Sequence, residues 1–491
     1  MPGTCVNVLS DIQLWVCDLN RPNILWLSGS PGSGKTTIAS TVVADFESFS
    51  GQFFFHRDQA EFCDPDNLWR HLALDLALGN NALEKSIAKS LERQKANIRG
   101  LDISMQFEHL IVKPVQEVFQ DTATPLLIVI DALDECKQYE KLLPSLKSWS
   151  WLLPKCLKLL ITSRRHLDIQ RKLDPVSQHI DLHAGNSVSD QTSKDLELYF
   201  TMRFSDMNRL HTPLHLNWPG PDKISFLVRK AAGLYIWAKS AMDFILHKGG
   251  DTEERLNVIC SDSGEGIDAI DILYQHIIFV AFQGLREAEK TSLTSVLGAI
   301  VIAKNPLRAS DVEQLLGVQG ALSIVSQLSP VLLLSGTGHL HICHQSFTDF
   351  LLDQKRSKDF WVDSRKHSLC FAGSCMKYMS AKLKFNYFDL KTSHILNKDI
   401  PNLMDHIENV KSTALDHASH FWAIYLQQYP DEILQGEIMV QMETFLMNHL
   451  LHWLEIMSLM GAINHAAHLL LLTKNWCTVS VLHKHTIIIL I

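Results

Sequence analysis

The sequence predicts a doubly wound α/β domain followed by mainly helical modules. Three observations predict this class: a glycine-rich loop between an apolar strand and a helix, alternation of strands with helices up to residue 184, and a near loss of strand signal beyond it. With 491 residues, the chain is long enough for several domains. Ligands of such sheets bind at the carboxyl ends of the strands, so polar residues there are the candidate site.

The glycine-rich loop reads G-x-x-x-x-G-K-T and follows the apolar run Ile24–Leu27. A helical pattern follows it, which gives the order strand, loop, helix. Glycines let backbone N–H groups point at an anion, and the helix adds its positive end. Lys35 is predicted to reach the β- and γ-phosphates, and the Thr36 hydroxyl to hold Mg²⁺. The predicted phosphate contacts are Gly29, Ser30, Pro31, Gly32, Ser33, Gly34, Lys35, Thr36 and Thr37. The segment Gly29–Thr36 is called the phosphate loop below.

A second strand candidate, Pro125–Ile130, ends abruptly in Asp131. An entirely apolar strand of this kind is typical of a parallel sheet that is covered on both faces. Asp131 is predicted to orient Mg²⁺ from the side opposite Thr36. Of Asp134 and Glu135, one would polarise the attacking water, and the longer Glu135 is preferred. Capping of the next helix is the alternative role for these acids.

A third strand candidate, Cys156–Thr162, is followed by Ser163, Arg164 and Arg165. Arg164 is predicted to sense the γ-phosphate by charge-assisted hydrogen bonds. The alternative is an ordinary solvated basic pair. Gln52–His56 and Gln178–Leu182 complete the predicted strands, the latter as a weaker candidate.

The second part of the chain is predicted to be mostly helical, including the stretches Leu196–Phe204 and Lys223–Leu246. Three helices and a hairpin then resemble a winged-helix module: Ile267–Phe282, Glu287–Val301, Ala309–Leu316, and the strands Val331–Leu334 and Leu340–Cys343. The predicted domains are a lead-in helix (1–23), the α/β domain (24–184), a helical domain (185–260), the winged-helix-like domain (261–364), an all-helical domain (365–476) and a tail (477–491). The stretch Cys260–Gly266 is predicted as a linker.

Composition narrows the function classes. The formal net charge of −8 gives no general attraction to nucleic acid or anionic membranes. One basic cluster is interpreted as nucleotide-facing or simply solvated: Lys155, Lys158, Arg164, Arg165, Arg171 and Lys172.

No apolar run is long enough to span a bilayer, and the N-terminus does not begin a signal peptide. Ten cysteines without C-x-x-C pairs indicate neither a zinc site nor a disulfide framework, so a cytoplasmic location is expected.

Together, the phosphate loop, Leu127–Glu135 and Ile161–Arg164 resemble a NACHT domain of the STAND class of P-loop NTPases. The variant resembles the nephrocystin-like NACHT proteins that are abundant in fungi, which are relatives of NOD-like receptors. Gly233–Ala238 and His344–Leu351 resemble downstream segments of that group. Ala132 stands where many NACHT sequences have glycine. Members usually carry an N-terminal effector domain and a C-terminal repeat array, and neither is expected within these residues.

The resemblance implies a switch that binds ATP or ADP with Mg²⁺, hydrolyses ATP slowly and oligomerises through the NTPase domain. It also implies that His344 contacts the β-phosphate of ADP; the alternative is a structural histidine. ADP must bind the closed state better than the open one, or the equilibrium does not shift.

Two other functions stay open. A nucleotide-locked interaction scaffold, or a truncated receptor fragment, would bind nucleotide without turnover. A nucleotide or small-molecule kinase would share the loop, but no acceptor-pocket signature is visible in the sequence.

Overall fold

The computed structural model describes residues 3–46, 49–57, 59, 61–94, 101–119, 124–210, 218–247, 251–261, 267–391, 395–426 and 432–479. The chain divides into two compact units, Met1–Leu273 and Tyr274–Ile491. The finer domain boundaries of the sequence analysis stay predictions.

The first unit contains a five-stranded parallel sheet, which confirms the predicted α/β class. Its strands are β1 (Ile24–Gly29), β2 (Phe49–Phe54), β3 (Leu126–Asp131), β4 (Leu157–Ser163) and β5 (Gln178–Leu182). They lie in the order β2-β3-β4-β1-β5, and every neighbouring pair is parallel. All strands therefore end at one edge, where β1 leads into the phosphate loop and β3 ends in Asp131.

Helices cover both faces of this sheet because alternate strand residues feed two separate cores. Leu25 and Leu27 of β1 pack with the α1 and α2 helices, whereas Ile24 and Trp26 pack into the larger core on the other face. The helices of the first unit are α1 (Val6–Cys17), α2 (Lys35–Asp45), α3 (Leu68–Gly79), α4 (Asn81–Gln94), α5 (Ile103–Phe107), α6 (Lys113–Val118), α7 (Leu143–Leu152), α8 (Leu167–Leu173), α9 (Asp190–Leu210), α10 (Pro221–Ala231), α11 (Tyr235–Ile245) and α12 (Thr252–Ser261). A π-helical turn, Glu108–Val112, joins α5 to α6.

The continuous helix predicted over Lys223–Leu246 is wrong at one point, because α10 ends before Gly233 and α11 begins after it. Gly233 has a left-handed φ of +84°, and an added Cβ would meet the His183 carbonyl oxygen and Val188 Cγ2 at 2.9 Å. Only glycine fits this close approach. The helical periodicity is therefore interrupted here by a contact with residues that are distant in the sequence.

Among its described residues, the second unit is helical apart from one hairpin, which confirms the predicted strand pair. Strands β6 (Leu332–Leu334) and β7 (Leu340–Ile342) are antiparallel. The remaining helices are α13 (Ile267–Phe282), α14 (Glu287–Ile302), α15 (Ala309–Leu316), α16 (Ala321–Gln327), α17 (Gln345–Leu352), α18 (Gln354–Ser357), α19 (Ser364–Lys382), α20 (Leu403–Val410), α21 (Thr413–Phe421), α22 (Glu432–Leu459) and α23 (Ile463–Val479). Residues 262–266 of the predicted linker and 480–491 of the predicted tail lie outside the described residues.

Candidate functional site

The phosphate loop connects β1 to α2 at the carboxyl edge of the sheet. Gly32 and Gly34 have left-handed φ values of +81° and +96°. A Cβ added to Gly29 would lie 2.7 Å from Ser33 Oγ and 2.9 Å from the Leu182 carbonyl oxygen. The buried Ser33 hydroxyl has no hydrogen-bond partner within the described part of the chain. A glycine cradle with an unsatisfied inner hydroxyl at a helix N-terminus fits an oxyanion ligand.

Lys35 folds back over the loop. Its Nζ donates to the carbonyl oxygens of Gly29 at 2.8 Å and Ser30 at 2.9 Å. Burial lowers the pKa of Lys35 to about 8, against the raising effect of nearby Asp134, Asp131 and Glu135. The ammonium group is thus held beside the loop, near three carboxylates and the Arg164 guanidinium.

Thr36 and Asp131 meet as predicted from the sequence. Thr36 Oγ1 donates to Asp131 Oδ2 at 2.8 Å, although 95 residues separate the two in the chain. Asp131 is 2% exposed, and burial raises its pKa. A hydroxyl and a carboxylate oxygen are ligands that Mg²⁺ prefers, so the pair fits this ion.

Thr162, near the end of β4, has a role that the sequence did not reveal. Its Oγ1 donates to Asp131 Oδ1 at 2.5 Å and accepts the Ala132 N–H at 3.0 Å. Ala132 has a left-handed φ of +54°, which explains why glycine is common at such a position. A threonine on the strand that neighbours β3 was the available signal, but its use required the strand order.

Arg164 and Asp134 are paired with each other. Asp134 Oδ1 accepts the Arg164 backbone N–H at 2.9 Å, and Asp134 Oδ2 lies 3.1 Å from Arg164 Nε. The Asp134 side chain is 3% exposed and that of Arg164 is 23% exposed. The carboxylate therefore anchors the loop after β4, in place of the helix-capping alternative.

Glu135 Oε2 accepts the backbone N–H of Arg57 at 3.3 Å, a contact that the sequence did not reveal. Burial, followed by repulsion from Asp134, raises the pKa of Glu135 to about 7. A carboxyl group that titrates near the operating pH suits a general base.

Asp181 of β5 forms a second polar cluster at this edge. Its carboxylate accepts from Ser28 Oγ at 2.5 Å and from Arg165 Nε at 2.7 Å, and it lies 2.7 Å from His183 Nδ1. Arg165 is thus not a simple solvated residue. Together with Asp134, Asp181 ties down both arginines of the β4–α8 connection.

The nucleotide-facing interpretation of the basic cluster is wrong for Lys158. This residue is fully buried at the start of β4, at the amino end of the strands. Its Nζ donates to the Asp18 carbonyl oxygen at 2.7 Å and lies 5.3 Å from the centre of the Trp15 ring. Lys158 therefore attaches the end of the lead-in helix to the sheet.

His344 belongs to the second unit, where it is the N-cap of α17. Its Nδ1 accepts the Ser346 N–H at 3.0 Å and lies 2.7 Å from Ser346 Oγ. This contact gives the imidazole a capping role. Its contact with nucleotide stays a prediction.

Comparison with protein families found a match between residues 3–164 and the model described as Nephrocystin 3, N-terminal. The matched range includes the phosphate loop, Asp131, Glu135 and Arg164. A search among curated proteins returned no match.

Solved structures with similar architecture include a STAND protein with a tetratricopeptide repeat sensor from Pyrococcus horikoshii, at 13% identity and a TM-score of 0.44. That match covers 98% of this chain, which spans only 64% of that protein. A Walker-type ATPase of Pyrococcus abyssi has 14% identity, a TM-score of 0.35, and coverage of 70% of this chain and 94% of its own. The Aeropyrum pernix Orc1 protein, solved in complex with DNA, has 13% identity, a TM-score of 0.34, and coverage of 72% and 90%. None of the three indicates what this chain binds.

Within the described ranges, no helix combines the length and hydropathy that a bilayer crossing requires.

Proposed function

We propose that this chain is a STAND-type switch of the NACHT class that binds ATP or ADP and hydrolyses ATP slowly. The observation that carries the proposal is the hydrogen bond of 2.8 Å between Thr36 and Asp131 beside the glycine cradle. Loop, hydroxyl and carboxylate form the donor set that a magnesium–polyphosphate complex requires. The family match over residues 3–164 supports the same reading.

Each site residue has a distinct proposed role. Mg²⁺, when bound, neutralises phosphate charge and would be held by Thr36 and Asp131. Lys35 exchanges the loop carbonyls for phosphate oxygens, and the nearby carboxylates favour its charged form. Glu135 accepts a proton from the attacking water, and Arg164, oriented by Asp134, faces the developing charge.

A cavity of about 890 Å³ supports a nucleoside-bearing ligand over inorganic phosphate. It lies between α1 and α2, and its lining includes Cys5, Leu9, Thr37 and Ile38. Ligand pockets of this size and mixed polarity are typical for small molecules. Thr37, which lines the cavity, is the residue that follows the phosphate loop in the chain.

The switching part of the proposal rests on the resemblance to fungal NOD-like receptors. ADP is proposed to favour a closed state in which His344 contributes to nucleotide binding, and ATP an open state that self-associates. One imidazole–phosphate hydrogen bond contributes only about 1.5–3 kcal/mol, so packing must provide the remainder of the preference.

The test is nucleotide binding by wild-type protein and by Lys35→Ala, with Lys85→Ala as the matched control on the exposed face of α4. Lys35→Ala is expected to weaken ATP binding about 100-fold, because it removes a charge-assisted contact to phosphate. Lys85→Ala should bind like wild type. Equal affinity in all three proteins would exclude the proposal.

The second candidate is a nucleotide-locked scaffold without turnover. The pairing of Arg164 with Asp134 favours it, because this arginine is already engaged. Multiple-turnover ATP hydrolysis that is lost in Glu135→Gln supports the switch. Tight ADP binding without turnover in either protein supports the scaffold.

A further inference from the structure

The phosphate loop is covered by the first turn of α11, in the first unit. The backbone N–H of Ile236 donates to the Gly32 carbonyl oxygen at 3.2 Å. The Tyr235 ring carbon Cδ2 lies 3.5 Å from the position of a Cβ added to Gly34. This turn therefore contacts Gly32 and lies next to Gly34, the two glycines of the phosphate loop with left-handed φ values.

The contact with Gly32 controls the direction of a peptide unit. In a trans peptide the C=O and the following N–H point in opposite directions, so a bond to the Gly32 carbonyl also orients the Ser33 N–H. In the structure the Ser33 N–H faces the Ser30 carbonyl oxygen at 3.2 Å. A helix that holds the Gly32 carbonyl thus decides where one of the loop's donors points.

A buried carboxylate holds this helix start in place. Asp195 of α9 is 4% exposed, and its Oδ2 accepts the Tyr235 O–H at 3.3 Å. The same oxygen accepts the backbone N–H of Cys5 at 2.8 Å, and Oδ1 accepts from Gln191 Nε2 at 3.0 Å. All three donors are neutral groups, so hydrogen bonds and not an opposite charge stabilise this buried carboxylate. Loss of any one donor is therefore expected to destabilise the folded arrangement.

The Cys5 contact brings a third segment to the same point. Cys5 is the N-cap of α1, with a left-handed φ of 57°, and its Sγ lies 3.6 Å from the Tyr235 hydroxyl. Asp195 thereby joins the start of the lead-in helix to the start of α11. These segments are 190 and 40 residues away from it in the chain.

We propose that Asp195 is a positioning residue for the phosphate loop: through Tyr235 it holds the first turn of α11 against Gly32 and Gly34, and through Cys5 it fixes the start of α1 beside that turn. The inference rests on the proposed function, because it takes the ligand of the loop to be a polyphosphate. Asp195 acts only through its neighbours and does not contact the ligand.

The experiment compares Asp195→Asn, Tyr235→Phe and the double variant in the full chain. Glu197→Gln, which changes an exposed carboxylate on the same helix, is the control. Affinities are measured for ATP and for inorganic tripolyphosphate, which reports on the loop alone. Amide hydrogen exchange of peptides that contain residues 30–35 is measured without any ligand.

The single variants are expected to weaken ATP and tripolyphosphate binding by the same factor, about fivefold to tenfold, because both ligands depend on the phosphate loop and each change removes one hydrogen bond that supports it indirectly. The double variant should bind both ligands no more weakly than the weaker-binding single variant, because both changes break the same Asp195–Tyr235 hydrogen bond. Exchange in residues 30–35 should accelerate, while Glu197→Gln stays like wild type. If Asp195→Asn does not fold, Tyr235→Phe, which keeps the ring, provides the same comparison.

Affinities within twofold of wild type together with unchanged exchange would overturn the inference, as would single effects that multiply in the double variant. Wild-type protein that binds neither ligand contradicts the proposed function only. The exchange comparison then decides the inference by itself, because it requires no ligand.

Discussion

Lys35 and Lys158 are two lysines of the first unit that share burial, a lowered pKa and backbone carbonyl partners. Burial lowers the pKa of each to about 8, and each Nζ donates to backbone carbonyl oxygens. Their charged surroundings differ: three carboxylates raise the pKa of Lys35 against one cation, Arg164, whereas Lys158 has one carboxylate, Asp18, against two cations. Lys35 lies at the carboxyl edge of the sheet and Lys158 at the opposite edge.

The difference teaches that burial and a shifted pKa do not by themselves mark a binding site. Lys158 closes a contact between the end of α1 and the amino end of the strands. Lys35 lies beside a glycine cradle whose Ser33 hydroxyl has no partner among the described residues, so a phosphate can replace its carbonyl partners. The position at the end of the strands separates the two cases.

The largest expected effect comes from Lys158→Ala, which should lower the free energy of unfolding by about 3 kcal/mol. The change leaves a cavity at a fully buried position and removes the donor to the Asp18 carbonyl oxygen. Urea unfolding followed by tryptophan fluorescence measures it, with the exposed Lys155→Ala as control. ATP affinity of the folded variant should stay within twofold of wild type; a loss comparable with that of Lys35→Ala would break the comparison.

Glu135→Gln should have the opposite sign and stabilise the ligand-free protein above pH 7. The pKa of Glu135 is raised in the folded state, so the folded state holds a proton that the unfolded state has lost between pH 4.5 and about 7. Stability therefore falls as the pH rises through this window. The variant should gain at most about 3 kcal/mol at pH 8 and nothing at pH 4. Equal gains at both pH values would contradict the assignment of this pKa.

The pH dependence of ATP binding sharpens the role of Lys35. Because its pKa in the ligand-free protein is about 8, binding above this pH requires uptake of a proton. The dissociation constant should rise about tenfold per pH unit above pH 8. Lys35→Arg keeps its charge at these pH values and should remove the dependence. A wild-type affinity that is flat between pH 8 and 9.5 would exclude Lys35 as the titrating contact.

The smallest effect is expected for Arg165→Met, at the rim of the same edge. Arg165 is paired with Asp181, but 56% of its side chain is exposed, so solvent screens the pair. The unfolding free energy should fall by about 0.5 kcal/mol. Arg171→Met, which alters the exposed contact with Asp168, is the control. A loss as large as that of Lys158→Ala would mean that Asp181 depends on Arg165.

Much of the α/β unit was predictable because its signals are local. An entirely apolar run such as Leu127–Ile130 predicts a strand covered on both faces, and the structure confirms it. The hairpin after Val331 was equally readable from its turn residues. The break at Gly233 was missed because the close approach of His183, distant in sequence, requires it.

The sequence by itself predicted the glycine loop with Lys35 and Thr36, and the acid at the end of β3. A turn and a strand end can be predicted in this way because they depend on residues that are adjacent in the chain. Only the tertiary structure decided the partners: Thr162 on Asp131, Arg57 on Glu135, Asp134 on Arg164, and Asp195 on Tyr235. The physical reason is that strand order and helix docking, which no local pattern specifies, bring these residues together. Lys158 shows the same limit, because its charge alone did not reveal at which end of the sheet it lies.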